Sequence, residues 1–159
     1  MKAPVLEHDL PAYRIGDPAG EYPIYSAAGA RRYPGRWNDA TSPVIYASLH
    51  YSTAMLEKLA HGNGRLPPNQ HFITITIPRG LACERLDPTS LPGWDTLEPA
   101  ASRRFGAAWY AAQQSAVLLV PSYVARLEWN VMINPDHPEA GRITHTPPQP
   151  VWWDRRLFG

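Results

Sequence analysis

Three residues of different chemical character follow one another early in the chain. Arg36 sits in Gly35-Arg36-Trp37-Asn38, Tyr46 in Pro43-Val44-Ile45-Tyr46-Ala47-Ser48, and Glu57 inside a helix-like stretch. A guanidinium fork clamps phosphate oxygens through two parallel charge-assisted bonds, an aromatic ring stacks on a base, and a carboxylate faces a developing positive charge. Together these are the parts of a site for a phosphate-bearing nucleotide, and the chemistry they suggest is cleavage at a ribose. Singly, each also has an ordinary reading. Arg36 is a loop arginine whose stem covers Trp37, and Tyr46 is a core tyrosine with its hydroxyl satisfied. Glu57 lies on the helix face opposite Met55 and Leu59, where amphipathicity predicts a solvated carboxylate paired with a neighbour such as His61.

These residues must be held by short elements, because 18 prolines confine helices and central strands to brief stretches. Tyr13-Arg14-Ile15 reads as a first strand, and Pro43 to Ala47 as a buried one with turn residues before it. Ser48 offers a helix N-cap. From Leu49 to His61 the apolar residues Met55 and Leu59 repeat at helical spacing until Gly62-Asn63-Gly64 ends the element. Alternation of isoleucine and threonine over His71 to Ile77, stopped by Pro78, is the period-two signature of a strand with one buried face.

A second helix is expected over Pro99 to Ser115, with Phe105, Ala108, Trp109 and Ala112 on its apolar face. Ala116 to Val120 follows as a strand, and Tyr123 to Val131 as a further strand or hairpin partner. The rest, from Asn134, is rich in turns. Helices and strands mix without a regular βαβ rhythm, which predicts an α+β fold with a mixed, mostly antiparallel sheet. At 159 residues the chain fits one compact domain, 1–159.

Bulk composition excludes several classes of function. Lys+Arg 15 against Asp+Glu 14 leaves a net charge of +1, too little to carry sequence-independent binding, so no direct contact with nucleic acid is expected. Cys83 is the single cysteine, which excludes an intramolecular disulfide and gives neither a redox pair nor a zinc site. The N-terminal residues lack an apolar signal core and no membrane-length apolar run occurs. A cytoplasmic protein without membrane attachment, metal or resident cofactor is therefore expected. Arg31, Arg32, Arg103 and Arg104 can form a cationic pocket, but runs of arginine more often make a solvated face. Asn134-Pro135-Asp136-His137-Pro138 reads on residue type as a rigid turn, with His137 structural.

Taken in order, Tyr13-Arg14-Ile15, Gly35-Arg36-Trp37-Asn38, Val44-Ile45-Tyr46-Ala47-Ser48, Ala54-Met55-Leu56-Glu57, Val120-Pro121-Ser122, Asn130, Ile133-Asn134-Pro135-Asp136-His137-Pro138 and the terminal Trp153-Asp154-Arg155-Arg156-Leu157-Phe158 resemble the RES-domain family. The match runs over nearly the whole chain. One departure is Asp39-Ala40-Thr41-Ser42, where members often carry proline or glycine, and it bears only on the shape of that turn.

The resemblance implies a fold similar to that of ADP-ribosyltransferases. It also implies a bacterial toxin of a type II toxin-antitoxin pair that destroys NAD+ and is held inactive by an Xre-type helix-turn-helix antitoxin, with the toxin a homodimer inside the complex. Carried over by motif, the catalytic residues are Arg36, Tyr46, Glu57 and Ser122. Those contacting NAD+, the substrate, are Arg14, Arg36, Tyr46, Asn134 and His137. Hydrolysis or phosphorolysis of free NAD+ is the first expectation and ADP-ribosylation of a target protein the second. A non-enzymatic module that binds nucleotide or a partner is the reading from a different class, since six tryptophans and eight tyrosines are compatible with an adhesive surface.

Overall fold

Among the described residues, eight strands form one sheet in the order β4-β5-β6-β2-β1-β3-β7, with β8 also paired to β3. The computed structural model describes residues 2–158. In chain order the strands are β1 (Leu10–Gly16), β2 (Ile45–Ser48), β3 (His71–Ile77), β4 (Cys83–Arg85), β5 (Val117–Pro121), β6 (Trp129–Ile133), β7 (Thr144–His145) and β8 (Gln149–Pro150). The helices are α1 (Ala28–Arg32), α2 (Tyr51–His61) and α3 (Ala100–Ala112). Every pairing is antiparallel except β4 with β5, which are parallel and joined through α3. This is the expected α+β architecture, with a single βαβ crossover at one edge.

Side-chain alternation divides the core in two. Ile45 and Ala47 of β2, Val117 of β5, and Val131 and Ile133 of β6 point into one cluster with Ala12, Ile73, Ile75 and Ile77. Leu118, Val120 and Met132 point the other way, into a second cluster with Trp37, Trp94 and Trp109. The isoleucine–threonine alternation over 71–77 is realised residue by residue, with Ile73, Ile75 and Ile77 buried and the threonines between them half-buried.

Several local expectations shift. β2 continues through Ser48, which pairs with Asn130 of β6 and Tyr13 of β1, so Ser48 is a strand residue and His50 takes the N-cap position without a capping side chain. The fully buried residues of α2 are Thr53 and Ala54, while Met55 and Leu59 are only half-buried. The helix lies on β1 and β2 and turns a partly polar face inward. α3 ends at Ala112, where Gln113 takes a left-handed φ of 57°. It buries Ser102, Gly106 and Trp109, and leaves Ala108 and Ala112 exposed. Tyr123 to Glu128 is not strand. It forms a turn closed by Glu128 N–H to the Ala125 carbonyl and Ser122 N–H to the Glu128 carbonyl, and β6 begins only at Trp129.

Candidate active site

The loop before β2 is shaped by one buried amide. Asn38 Oδ1 accepts from the Gly35 N–H at 2.8 Å and from the Tyr46 hydroxyl at 2.7 Å, while its Nδ2 donates to the carbonyls of Ala30 and Asp39, both at 2.9 Å. All the bonding capacity needed to hold a tight loop is thus met inside the protein. The Tyr46 hydroxyl also accepts from the Trp37 N–H at 3.1 Å, and burial pushes its pKa well above the ordinary phenol value, so it stays protonated and keeps donating to Asn38. Gly35 is required here, because a Cβ would stand 2.9 Å from the Tyr46 hydroxyl.

From α3, Arg103 donates to the carbonyls of Gly35 and Pro34 at 2.9 and 3.1 Å. Trp37 is buried and stacks on Trp94. With its neighbours pinned, Arg36 projects into a cavity. Its Nη1 donates to the carbonyls of Trp94 and Thr96 at 2.9 and 2.8 Å, and its guanidinium lies 3.9 Å from the centroid of the Tyr123 ring. Burial lowers the Arg36 pKa and the Tyr123 phenol opposes that shift; a guanidinium remains a cation at neutral pH.

Arg14 enters from β1. The strands β1 and β2 share a single register pair, Tyr13 with Ser48, and the Arg14 side chain fills the gap beside it. Nε donates to the Ile24 carbonyl at 2.6 Å and Nη1 to the Tyr46 carbonyl at 2.8 Å. Burial pushes this guanidinium below its ordinary value as well.

Glu57 is half-buried and is not paired with His61, whose Nδ1 instead meets the Glu57 backbone carbonyl at 2.9 Å. The Glu57 carboxylate lines the cavity. Its Oε1 accepts from Ser122 Oγ at 2.7 Å and from Asn130 Nδ2 at 2.9 Å, and no described residue donates to Oε2. Behind it, Ser48 Oγ donates to Asn130 Oδ1 at 2.7 Å, which fixes the amide orientation. Ser122 in turn accepts from the Ala125 N–H at 3.0 Å. A buried chain running from β2 through β6 and the 122–128 turn therefore aims one carboxylate oxygen and leaves the other for a ligand.

Arg14, Arg36, Tyr46 and Glu57 share one cavity of about 490 Å³ whose wall also includes Tyr13, Ser48, Lys58, Tyr123 and Asn130. Ser122 stands behind Glu57. Asn134 and His137 are not brought to it. Asn134 follows β6, four residues beyond Asn130, about 13 Å along a strand. Its Oδ1 accepts from the Asp136 N–H at 2.9 Å, and its Nδ2 is buried without a described partner. His137 closes the same turn, accepting from the Glu139 N–H at Nδ1 and meeting the Gln113 carbonyl through Nε2. None of Arg31, Arg32, Arg103 or Arg104 lines the cavity.

Asn130, Ser48, Tyr123 and Lys58 carry no site role in the sequence reading. Ser48 and Asn130 stand among the motif residues of the resemblance without a role, as polar residues interrupting apolar strands, and nothing in the periodicity marked Lys58. Among the described residues no cluster of three or more His, Cys, Asp or Glu is placed to hold a metal, and no helix is long and apolar enough to cross a membrane.

The mostly antiparallel α+β fold is shared with a chain of a solved toxin–antitoxin complex. The structure titled as the M. tuberculosis MbcT-MbcA toxin-antitoxin complex contains a chain that superposes with a TM-score of 0.70 at 18% identity, covering 92% of this chain and 86% of that one. The chain belongs to the RES-domain family, whose profile matches residues 11–154, and it is a toxin of the RES type. A relative from Sphingobium sp. (strain YBL2), named Prs ADP-ribosylating toxin, is 37% identical over 92% of this chain and 95% of its own length. Two proteins named Toxin Res, from Photorhabdus laumondii and Pseudomonas putida, are 33% and 32% identical over 70% and 75% of this chain, and 72% and 83% of their own lengths.

Proposed function

We propose that this chain cleaves NAD+ between nicotinamide and ribose. The observation that carries the reading is the convergence of Arg14, Arg36, Tyr46 and Glu57, from β1, the loop before β2, β2 and α2, on one cavity, with the Glu57 carboxylate aimed by Ser122 and Asn130. In NAD+ the nicotinamide is already a cationic leaving group. The carbon–nitrogen bond breaks with its electron pair passing to nicotinamide, which leaves neutral, while positive charge moves to the ribose. A preorganised carboxylate stabilises that charge or holds the ribose hydroxyls, and Glu57 is assigned this role. Arg14 and Arg36 supply positive charge for the diphosphate, and the Tyr46 ring forms wall against the nicotinamide ribose. NAD+ is the substrate and no resident cofactor is needed.

An acceptor then donates an electron pair to the ribose carbon and loses a proton. Water yields ADP-ribose and orthophosphate its phosphorylated form, and these reactions of free NAD+ are the first reading. The printed name of the Sphingobium relative favours a second, in which a protein side chain is the acceptor. Incubating purified chain with NAD+, with and without phosphate, and separating the nucleotides by chromatography tests the proposal. Loss of NAD+ with release of nicotinamide is expected, and intact NAD+ in both tubes would rule out water and orthophosphate as acceptors. Labelled NAD+ with a cell extract separates the two acceptor readings, because only the second puts label on protein.

The proposed partner is an Xre-type helix-turn-helix antitoxin, with the toxin a homodimer in the complex and the cytoplasm its place of action. The relatives named Toxin Res and the solved toxin–antitoxin complex support an antitoxin partner. Co-expression with the product of an adjacent helix-turn-helix gene should relieve growth arrest and yield a single larger species on size-exclusion chromatography; independent elution of the two would contradict it.

A further inference from the structure

The Glu57 cavity adjoins a second, smaller one. The latter measures about 230 Å³, and its wall includes Asp17, Glu21, Tyr22 and Ser26. Arg14, Ile15, Gly29 and Lys58 line both, so two cations stand at the neck between the chambers. Arg14 commits Nε and Nη1 to backbone carbonyls and leaves Nη2 without a described acceptor. Lys58 follows Glu57 on α2 and is half-buried, and no described residue accepts a hydrogen bond from it or forms an ion pair with it.

Holding two like charges together away from bulk water is unfavourable unless an anion joins them. Burial and then Arg14 push the Lys58 ammonium below its ordinary value, and Asp17 opposes this in part. The nearby acids make their hydrogen bonds and ion pairs with other residues. Asp17 Oδ1 accepts from the Ala19 N–H at 2.8 Å and the Asn69 amide at 2.7 Å, and Glu21 pairs with Arg32 at 3.0 Å. A ligand carrying at least one negative charge for each cation would match the neck. The presence of a chamber on either side says that such a ligand continues in both directions, which orthophosphate does not.

We propose that Arg14 and Lys58 form a diphosphate clamp, so that a dinucleotide lies across both cavities with its reactive ribose against Glu57 and its distal nucleoside in the smaller chamber. This assignment rests on the cleavage reading above and adds Lys58 and the second chamber to it. It makes Lys58 a substrate-binding residue whose loss weakens capture of the dinucleotide more than the bond-breaking step, because its charge lies at the diphosphate and not at the reacting carbon.

The full chain and its Lys58→Gln and Lys58→Arg variants are titrated with inorganic pyrophosphate by calorimetry, and NAD+ turnover is measured in phosphate-free buffer. Wild type should bind pyrophosphate, Lys58→Gln should bind it roughly tenfold more weakly or worse, and Lys58→Arg should retain most of the affinity. KM for NAD+ should rise by a similar factor in Lys58→Gln with kcat little changed. Matching thermal melts of the three proteins exclude misfolding as the cause. Pyrophosphate affinity equal in wild type and Lys58→Gln, or absent from wild type, would overturn the clamp. So would a Lys58→Gln defect confined to the response to added orthophosphate, since the lysine would then serve a separate acceptor. Should wild type leave NAD+ intact both without and with added orthophosphate, hydrolysis and phosphorolysis fail alone and the pyrophosphate titration still decides the clamp.

Discussion

The two oxygens of Glu57 are used differently. Ser122 and Asn130 both donate to Oε1, which fixes the carboxylate plane without filling the oxygen that a substrate needs. Glu57→Gln keeps the size and removes the charge, so kcat for NAD+ cleavage should fall about a hundredfold to a thousandfold while the thermal midpoint changes little; near-normal kcat would remove Glu57 from the chemistry. Asn130→Ala tests the supporting chain separately. It releases one side of Glu57 and strands the Ser48 hydroxyl, and a carboxylate free to move by about 1 Å should cost roughly 10- to 100-fold in kcat. Adding Asn130→Ala to the Glu57→Gln protein should then cost little more, and full additivity would show that Asn130 acts elsewhere.

At the scale of elements, the position of Arg36 is set by α3 as much as by its own loop. Arg103 ties the helix to the Pro34 and Gly35 carbonyls, and Gly106 lets the helix backbone come so close to Trp37 that any added Cβ would overlap its carbonyl oxygen. Gly106→Ala should therefore force α3 and the Arg36 loop apart, lowering stability by about 3 kcal/mol or more and cutting activity in whatever fraction remains folded; an unchanged denaturation midpoint would show that the contact relaxes freely. The reach of α3 to that loop was not legible in the chain. Its apolar spacing placed Trp109 correctly on the buried side, yet pointed to Ala108 where Gly106 and Ser102 are the buried residues. The period of a helix says how wide its apolar face is, and the partner surface decides which residues occupy its centre. α2 makes the same point more sharply. Amphipathicity assigned Glu57 to solvent, but the sheet receives this helix across a cleft, and a polar residue facing inward there has a cavity rather than a core to enter.

For the molecule as a whole, the acid limb of stability should carry a contribution from the turn after Asn38. Hydrogen bonds from Thr41 and Ser42 hold the Asp39 carboxyl below its ordinary value. A depressed carboxylate stabilises the folded chain above its unfolded-state pKa, and that contribution disappears as pH falls through the lower folded-state value. Asp39→Asn should flatten this part of the profile when Tm is followed across the acid range; an unaltered profile would show that the turn does not couple to folding. Cys83 gives a second global readout. Burial, with Glu84 beside it, pushes its thiol up to about 11, so the native protein at neutral pH should react with an alkylating reagent only through opening of the structure. Alkylation rates that match those of a free thiol would mean that β4 is not held against β5.

What the chain alone determined were those features that depend on neighbours in sequence. The 71–77 strand, the existence of two longer helices, the α+β class, and the membership of Arg36, Tyr46 and Glu57 in one set all rest on residue type, alternation and order. What only the tertiary structure decided were the meetings between distant segments. It placed Asn130 and Ser122 on Glu57 and Lys58 beside Arg14, and it held Asn134 and His137 in a turn at the far end of β6. Local periodicity constrains which way a side chain leaves the backbone. The surface it then meets is set by strand order and helix placement, which depend on the burial of every element at once.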